Sequence, residues 1–344
     1  MKKRVSLKDI ANKVGVSTTL VSYVLNNQME NRINRETAEK IRKAAAELHY
    51  RPNQIAKSLK SSKTQTIGLI VADIANPFSS GVARIIEDEA AKDEYTVIFG
   101  SADENARKAE GLINALLSRQ VDGFIIAPPE GFEKQLRWLR QEDVPFVLMD
   151  RYFEQLEACS VSINNYAASF NAVNHLIENG YRNIGFINYK TRLIHLQERT
   201  RGYREALQAA GLPVVACNLK EIEESKLKVE ISAALDGMLQ QDNPVDALFF
   251  SSSNVSIEGL AFLRERGIVI PDQLGVLCFD ETRAYDLFPY PVTYIRQPLK
   301  AIGQAAVKLL LETMEKQKKT KQIMLETEMI IRASSKRSLD RRHR

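Results

Sequence analysis

Thr18, Thr19, Ser22, Tyr23 and Asn26 follow a glycine turn closely, and their spacing puts them on one side of a helix. Hydroxyl, phenol and amide groups on such a face exchange hydrogen bonds, and nothing beside them activates one as a nucleophile. A second set sits much further along the chain. Asp150 ends "PFVLMD", Asp280 ends "LGVLCFD", and Arg199 opens the helical stretch "ERTRGYREAL". Carboxylates at strand ends accept paired hydrogen bonds from hydroxyl groups, and an arginine fork donates in a fixed plane. This is the chemistry of binding rather than turnover. There is no GxxxxGK[ST] loop, HExxH or GxSxG, and His49, His175, His195 and His343 have no metal-ligand spacing. No catalytic residue, metal or cofactor is expected.

The elements that must position the first set are short. Ser6 and Asp9 form an S-x-x-D capping box, with Val5 and Ile10 as its hydrophobic staple. Leu7, Ile10, Ala11 and Val14 then recur at helical spacing, and Gly15 stops the helix. Ser17 caps a second helix with Leu20, Val21 and Val24 facing inward. Ile33 and Asn34 repeat the staple and cap, and Ala38, Ile41, Ala45 and Leu48 form the stripe of a third helix. Two helices joined by a glycine turn and braced by a third make a helix-turn-helix unit, whose second helix enters the major groove. Arg51-Pro52 breaks the third helix. Asn53 can cap another, whose face of Ile55, Ala56 and Leu59 is too small to fold unaided.

The second set needs strands. "TIGLIVAD", "YTVIFGS", "DGFIIAP" and "PFVLMD" alternate with the amphipathic "FSSGVARIIEDEAAKD", "ARKAEGLINALLSRQ" and "FEKQLRWLRQ". A second series runs from "SVSINNYAASF" through "IGFINY", "DALFFSS" and "SIEGLAFLRERG" to "LGVLCFD". The β-α-β-α order requires parallel sheets covered by helices. Two such doubly wound units imply a cleft beyond the carboxyl ends of their strands. Trp138, the only tryptophan, is read as packing.

Charge separates the two regions. Residues 1–63 carry 14 Lys/Arg against 5 Asp/Glu, the last ten residues carry 5 against 1, and the whole chain of 344 residues is only +5. A cationic head on an anionic body is the footprint of a nucleic-acid-binding module joined to one that does not bind nucleic acid. No run approaches the roughly eighteen apolar residues of a membrane helix. "MKKR" is followed by the charged "VSLKDIANKV" rather than an apolar core, so a cytoplasmic location is expected. Cys159, Cys217 and Cys278 are far apart and are read as buried thiols.

The stretches "VSLKDIANKVGVSTTLVSYVLNN", "INRETAEKIRKAAAELHYRPNQIAKSLKS" and "TIGLIVADIANPF" together resemble the LacI/GalR family of bacterial transcription regulators, and the resemblance runs through nearly the whole chain. The hinge text "YRPNQIAKSLK" stands at the family's distance from the head. The resemblance implies a core of the periplasmic-binding-protein-like type I. It implies that Thr18, Thr19 and Tyr23 read bases, and that Ser6, Ser17, Ser22, Asn26, Asn34 and Thr37 make phosphate or supporting contacts. It further implies that a hinge helix beginning near Asn53 folds on DNA. There Leu59 would wedge a central base step, Ala56 would line the minor groove, and Lys57 and Lys60 would meet phosphates. In the core it places Asp150, Arg199 and Asp280 on a small-molecule effector, with Phe78, Ser79 and Ser253 on the same cleft. Ser253 stands where many relatives carry asparagine.

The expected organisation is a helix-turn-helix domain at 1–51, a hinge and linker at 52–63 and an effector-binding core at 64–334. The core's subdomains are 64–162 plus about 295–323, and 163–293 plus about 324–334. A basic tail, 335–344, is expected to be disordered. The implied function is a regulator, expected to be a repressor. It acts as a homodimer on double-stranded operator DNA, away from membranes, under control of a sugar or sugar acid. The rival, a solute-binding protein of a transport system, shares the two-lobed core but has no use for a basic head. A sugar-processing enzyme with a fused head would need catalytic motifs that the body lacks.

Overall fold

In the computed structural model, residues 5–27, 32–50, 63–315 and 320–337 are described. The chain divides into two compact units, 1–64 and 65–344. The expected hinge residues Asn53, Ala56, Lys57, Leu59 and Lys60, and His343, lie outside the described residues.

The first unit contains α1 (Leu7–Val14), α2 (Thr18–Leu25) and α3 (Arg35–Glu47). Ser6 donates its backbone N–H and its hydroxyl to Asp9 Oδ2 at 2.8 and 2.7 Å, so the carboxylate holds the entry to α1. Gly15 ends α1 at φ +75°, a left-handed conformation that glycine adopts without a Cβ clash, and its N–H closes on the Ala11 carbonyl. Ser17 caps α2 by accepting from Leu20 N, and Asn34 caps α3 by accepting from Glu36 N and Thr37 N. Ile10, Ala11, Val21, Val24, Ile41, Ala44 and Ala45 are buried together. This small core fixes which face of α2 stays outside.

The second unit holds two six-stranded sheets. In chain order its elements are β1 (Thr66–Val71), α4 (Pro77–Lys92), β2 (Thr96–Ser101), α5 (Ala106–Leu117), β3 (Gly123–Ile126), α6 (Glu133–Gln141), β4 (Phe146–Met149) and β5 (Cys159–Ile163). There follow α7 (Asn165–Glu178), β6 (Ile184–Tyr189), α8 (Ile194–Ala209), β7 (Leu219–Ile222), α9 (Leu227–Leu239), β8 (Ala247–Phe250), α10 (Ser253–Glu265) and β9 (Gly275–Phe279). The unit closes with β10 (Thr293–Arg296), α11 (Leu299–Met314), β11 (Gln322–Leu325) and β12 (Glu328–Ile330). The sheet orders are β11-β5-β4-β3-β1-β2 and β12-β10-β9-β8-β6-β7. Every pairing is parallel except β10 with β12. Burial on both faces suits continuous apolar runs such as "ALFF" and "GVLCF", all of whose residues are buried.

The chain crosses between the lobes three times. It leaves the first sheet after β5, returns through α11, which packs on α4, β3, β4 and β5, and ends in β12 on the second sheet. The return follows β10, which belongs wholly to the second sheet, so the crossing falls just after Arg296. Within "KQIMLETEMIIR" the two lobes each take one strand.

Several details differ from the sequence reading. β7 and α9 were not expected. β7 is a four-residue edge strand with charged members, and α9 carries a legible stripe of Ile231, Ala234, Leu235 and Met238. The first residues of the basic tail are ordered, because Ser335 is buried between His175 Nε2 and Thr293 Oγ1 at 2.8 and 2.7 Å. Arg337 donates to the Gly180 carbonyl at 2.7 Å and pairs with Asp246. Cys278 is buried and Cys159 half-buried, but Cys217 is exposed, since the turn before β7 runs over the surface. Trp138 is half-buried against the apolar cluster into which its helix also buries Leu136 and Leu139.

Candidate functional site

Asp150 and Asp280 occupy matching places. Each follows the carboxyl end of a strand, β4 in one lobe and β9 in the other, and each is left-handed, with φ +66° and +69°. Aspartate tolerates this region better than most side chains, and the backbone there turns both carboxylates into the space between the sheets. A cavity of about 80 Å³ lies between those strand ends, and Phe78, Ser79, Asp150, Arg199 and Asp280 all line it. The structure thus brings together five of the six core residues singled out from sequence.

The sixth, Ser253, is not among the lining residues. Ser252 is the N-cap of α10 and faces the cavity. Ser253 is the first helical residue; its backbone N–H donates to Asp280 Oδ2 at 3.4 Å, and its hydroxyl is buried without a partner. The capping geometry turns Ser253 inward and leaves its neighbour in its place.

Arg199 is held from three sides. Its Nε donates to Asn165 Oδ1 at 2.8 Å, its Nη1 to the Ser251 carbonyl at 2.6 Å, and its guanidinium lies 3.4 Å from the centre of the Phe279 ring. The fork is therefore oriented by the protein itself. α8 begins at Ile194 rather than at Arg199, which places His195 one turn earlier on the same face. His195 lines the cavity, and burial, then the charges of Arg151 and Arg199, hold its pKa well below the usual histidine value.

Asp150 is buried, and its Oδ1 has no hydrogen-bond partner. Burial raises its carboxyl to about 6; Arg151 and Arg199 oppose the rise, and Asp280 and Glu104 add to it. Asp280 Oδ1 accepts from Gln297 Nε2 at 2.6 Å. Arg151 makes a two-pronged pair with Glu104, one contact being 2.7 Å. At the rim Glu130, in the loop after β3, accepts from Thr191 Oγ1 at 2.6 Å and from Arg192 Nε at 2.8 Å, in the loop after β6. That carboxylate ties one lobe to the other.

Sequence reasoning did not single out Glu104, Arg151, Tyr189, His195, Glu224 or Gln297, all of which line the cavity. Two carried a signal. Arg151 adjoins a strand-end aspartate, and His195 precedes Arg199 by four residues. Tyr189 ends β6 and Gln297 follows β10, strand-end places like those of the two aspartates, whereas Glu104 and Glu224 are brought in by loop paths that no local pattern encodes.

In the head, Thr18 and Thr19 are exposed, and Ser22 and Tyr23 half-exposed, on the face of α2 opposite Val21 and Val24. Asn26 reaches back to the Ser22 carbonyl at 2.8 Å. Ser6, Ser17 and Asn34 are engaged as caps. Thr37 is half-buried, and its backbone N–H is one of the groups that Asn34 satisfies.

Two facing doubly wound lobes around a polar cavity, with a separate helix-turn-helix head, define a ligand-binding core attached to a DNA-binding module. The model of bacterial regulatory proteins of the lacI family matches residues 6–53, and that of a periplasmic binding protein-like domain matches residues 173–335. Catabolite control protein A of Priestia megaterium is 32% identical, over 91% of this chain and 93% of that protein. The chain belongs to the LacI/GalR family of DNA-binding transcription regulators and is not an enzyme. Its fold is shared with the lac repressor dimer bound to operator and the anti-inducer ONPF, with a TM-score of 0.86, 22% identity, and coverage of 97% of this chain and 99% of that one. The transcriptional regulator CelR in complex with cellobiose matches with a TM-score of 0.72 and 25% identity, over 96% of this chain and all of that one. Among the described residues no helix is long and apolar enough to cross a membrane.

Proposed function

We propose that this regulator is a cytoplasmic homodimeric repressor whose grip on a near-palindromic operator is set by a small carbohydrate bound between its core lobes. The observation that carries the reading is the pair of left-handed, strand-end aspartates facing each other across the cavity, with Arg199 already oriented beside them. Sugar hydroxyls donate to such carboxylates and accept from such a fork. Phe78 offers an apolar face beside them. CelR, of the same fold, is seen with cellobiose. A ligand that touches both lobes favours one angle between them, and so acts on whatever each lobe is joined to.

In the head, Thr18, Thr19 and Tyr23 reach base edges while Ser6, Ser17, Ser22, Asn26, Asn34 and Thr37 fix its register on phosphates. Asn53, Ala56, Lys57, Leu59 and Lys60 belong to the hinge that meets the minor groove. Single hydroxyls cannot make the bidentate arginine–guanine pairing, so the operator is read through methyl contacts, water and DNA shape. The proposed domain limits are those of the sequence reading, with the core's crossing just after Arg296 and its end extended through Arg337.

Selection of bound duplexes from a random DNA pool by the full chain tests the reading. The expected product is a near-palindrome whose affinity falls steeply with salt. Its release by a saccharide is lost in Arg199→Ala. A pool without any enriched sequence would contradict the proposal.

A further inference from the structure

The cavity's lining is unbalanced in charge. Asp73, Glu104, Asp150, Glu224 and Asp280 face it, against the guanidiniums of Arg151 and Arg199. His195 is kept neutral by burial and by those same guanidiniums. Arg151 is already committed to Glu104 through both prongs. Arg199 has Nε and Nη1 bound to Asn165 and Ser251, which leaves a single edge of the fork for a ligand. The carboxylates already press on one another: burial, then Glu104, raise the Glu224 carboxyl, with Arg151 opposing and Asp73 adding to the rise.

Three lining groups more than nine-tenths buried also have polar atoms without a partner, namely Asp150 Oδ1, His195 Nδ1 and Gln297 Oε1. The first and last of these accept hydrogen bonds when Asp150 is ionised. Arg151 Nε and the Tyr189 hydroxyl, on residues less deeply buried, also lack a hydrogen-bond partner, so the lining can donate as well as accept, but its carboxylates outnumber its guanidiniums and both guanidiniums are already engaged by the protein. A carboxylate or phosphate would bring more acceptors and more negative charge, where anion sites present uncommitted guanidiniums or backbone N–H groups.

Resting on the carbohydrate reading above, we propose that this cleft selects a hydroxyl-rich saccharide without negative charge and rejects sugar acids and phosphosugars, with Glu104, Glu224 and Asp73 setting that selectivity. Rejection is by repulsion as much as by missing contacts, since the one open edge of Arg199 faces five carboxylates in the lining and does not offset the added charge.

The test is calorimetry on the full chain with matched ligands: glucose, galactose, ribose and cellobiose against glucuronate, galacturonate, glucose 6-phosphate and ribose 5-phosphate. Binding is expected among the uncharged members, with the charged counterpart of any binder weaker by about tenfold or more at moderate salt. Glu224→Gln and Asp73→Asn, substitutions at residues that are not buried, should each narrow that gap by roughly threefold. An acid or phosphate that binds as tightly as its uncharged parent overturns the proposal, as does a gap that neither substitution changes. A panel in which no saccharide binds overturns the carbohydrate reading itself, and this inference with it.

Discussion

Asp150 shows how much a single residue can carry. The sequence marks it as a carboxylate at the end of an apolar strand. Its left-handed backbone, its orphaned Oδ1 and its raised pKa arise from the turn after β4 and from burial in the cleft, with Asp280 adding to the rise and Arg151 and Arg199 opposing it. No local pattern holds that information. Because the folded-state pKa, about 6, lies above the ordinary carboxylate value, the folded protein binds this proton more tightly than the unfolded chain does. Its contribution to stability is therefore fully present below the unfolded value and is lost as pH rises through about 6. Hydroxyl donors favour the ionised form, so effector affinity should move the other way and rise by about tenfold from pH 5 to pH 7. Calorimetry across that range on wild type and Asp150→Asn checks this. The wild type should show the slope and the variant should be flat; equal slopes would assign the titration to another group.

Elements set the positions that single residues use. α8 carries both His195 and Arg199, and it lies so close to α7 that a Cβ on Gly202 would stand 2.4 Å from the Tyr166 carbonyl oxygen. Only glycine permits that approach, and backbone cannot yield as a flexible side chain does. Gly202→Ala should cost roughly 1–3 kcal/mol and lower Tm by about 2–5 °C. A Tm within a degree of wild type would show that α7 and α8 are not so tightly joined. Most elements were legible because apolar residues repeat at helix or strand period: "TIGLIV" became β1 and the Leu7–Val14 stripe became α1. The start of α8 was misplaced because "LIHLQ" carries neither a capping side chain nor a first-turn acid. β7 escaped notice because an edge strand with Lys220 and Glu221 has no apolar run, whereas α9 had its stripe in plain view.

At the scale of the whole molecule the sequence carries the division of labour in its charge, a basic head on an acidic body. It carries little of the crossings. Nothing in "KQIMLETEMIIR" says that four of its residues extend one sheet and three the other, because the pairing depends on partners about 160 and 35 residues earlier in the chain. These crossings tie the lobes together, and in the proposed mechanism a ligand between the lobes resets the angle about them.

In the proposed mechanism the cleft and the DNA-binding face are coupled through that angle, and coupling of binding free energies is reciprocal. The most direct measurement is a closed cycle on the full chain: operator Kd without and with saturating effector, and effector Kd without and with operator. The same ratio is expected from both arms, within roughly 5–150-fold. Ratios of one in both arms would show that the two sites ignore each other and would contradict the mechanism.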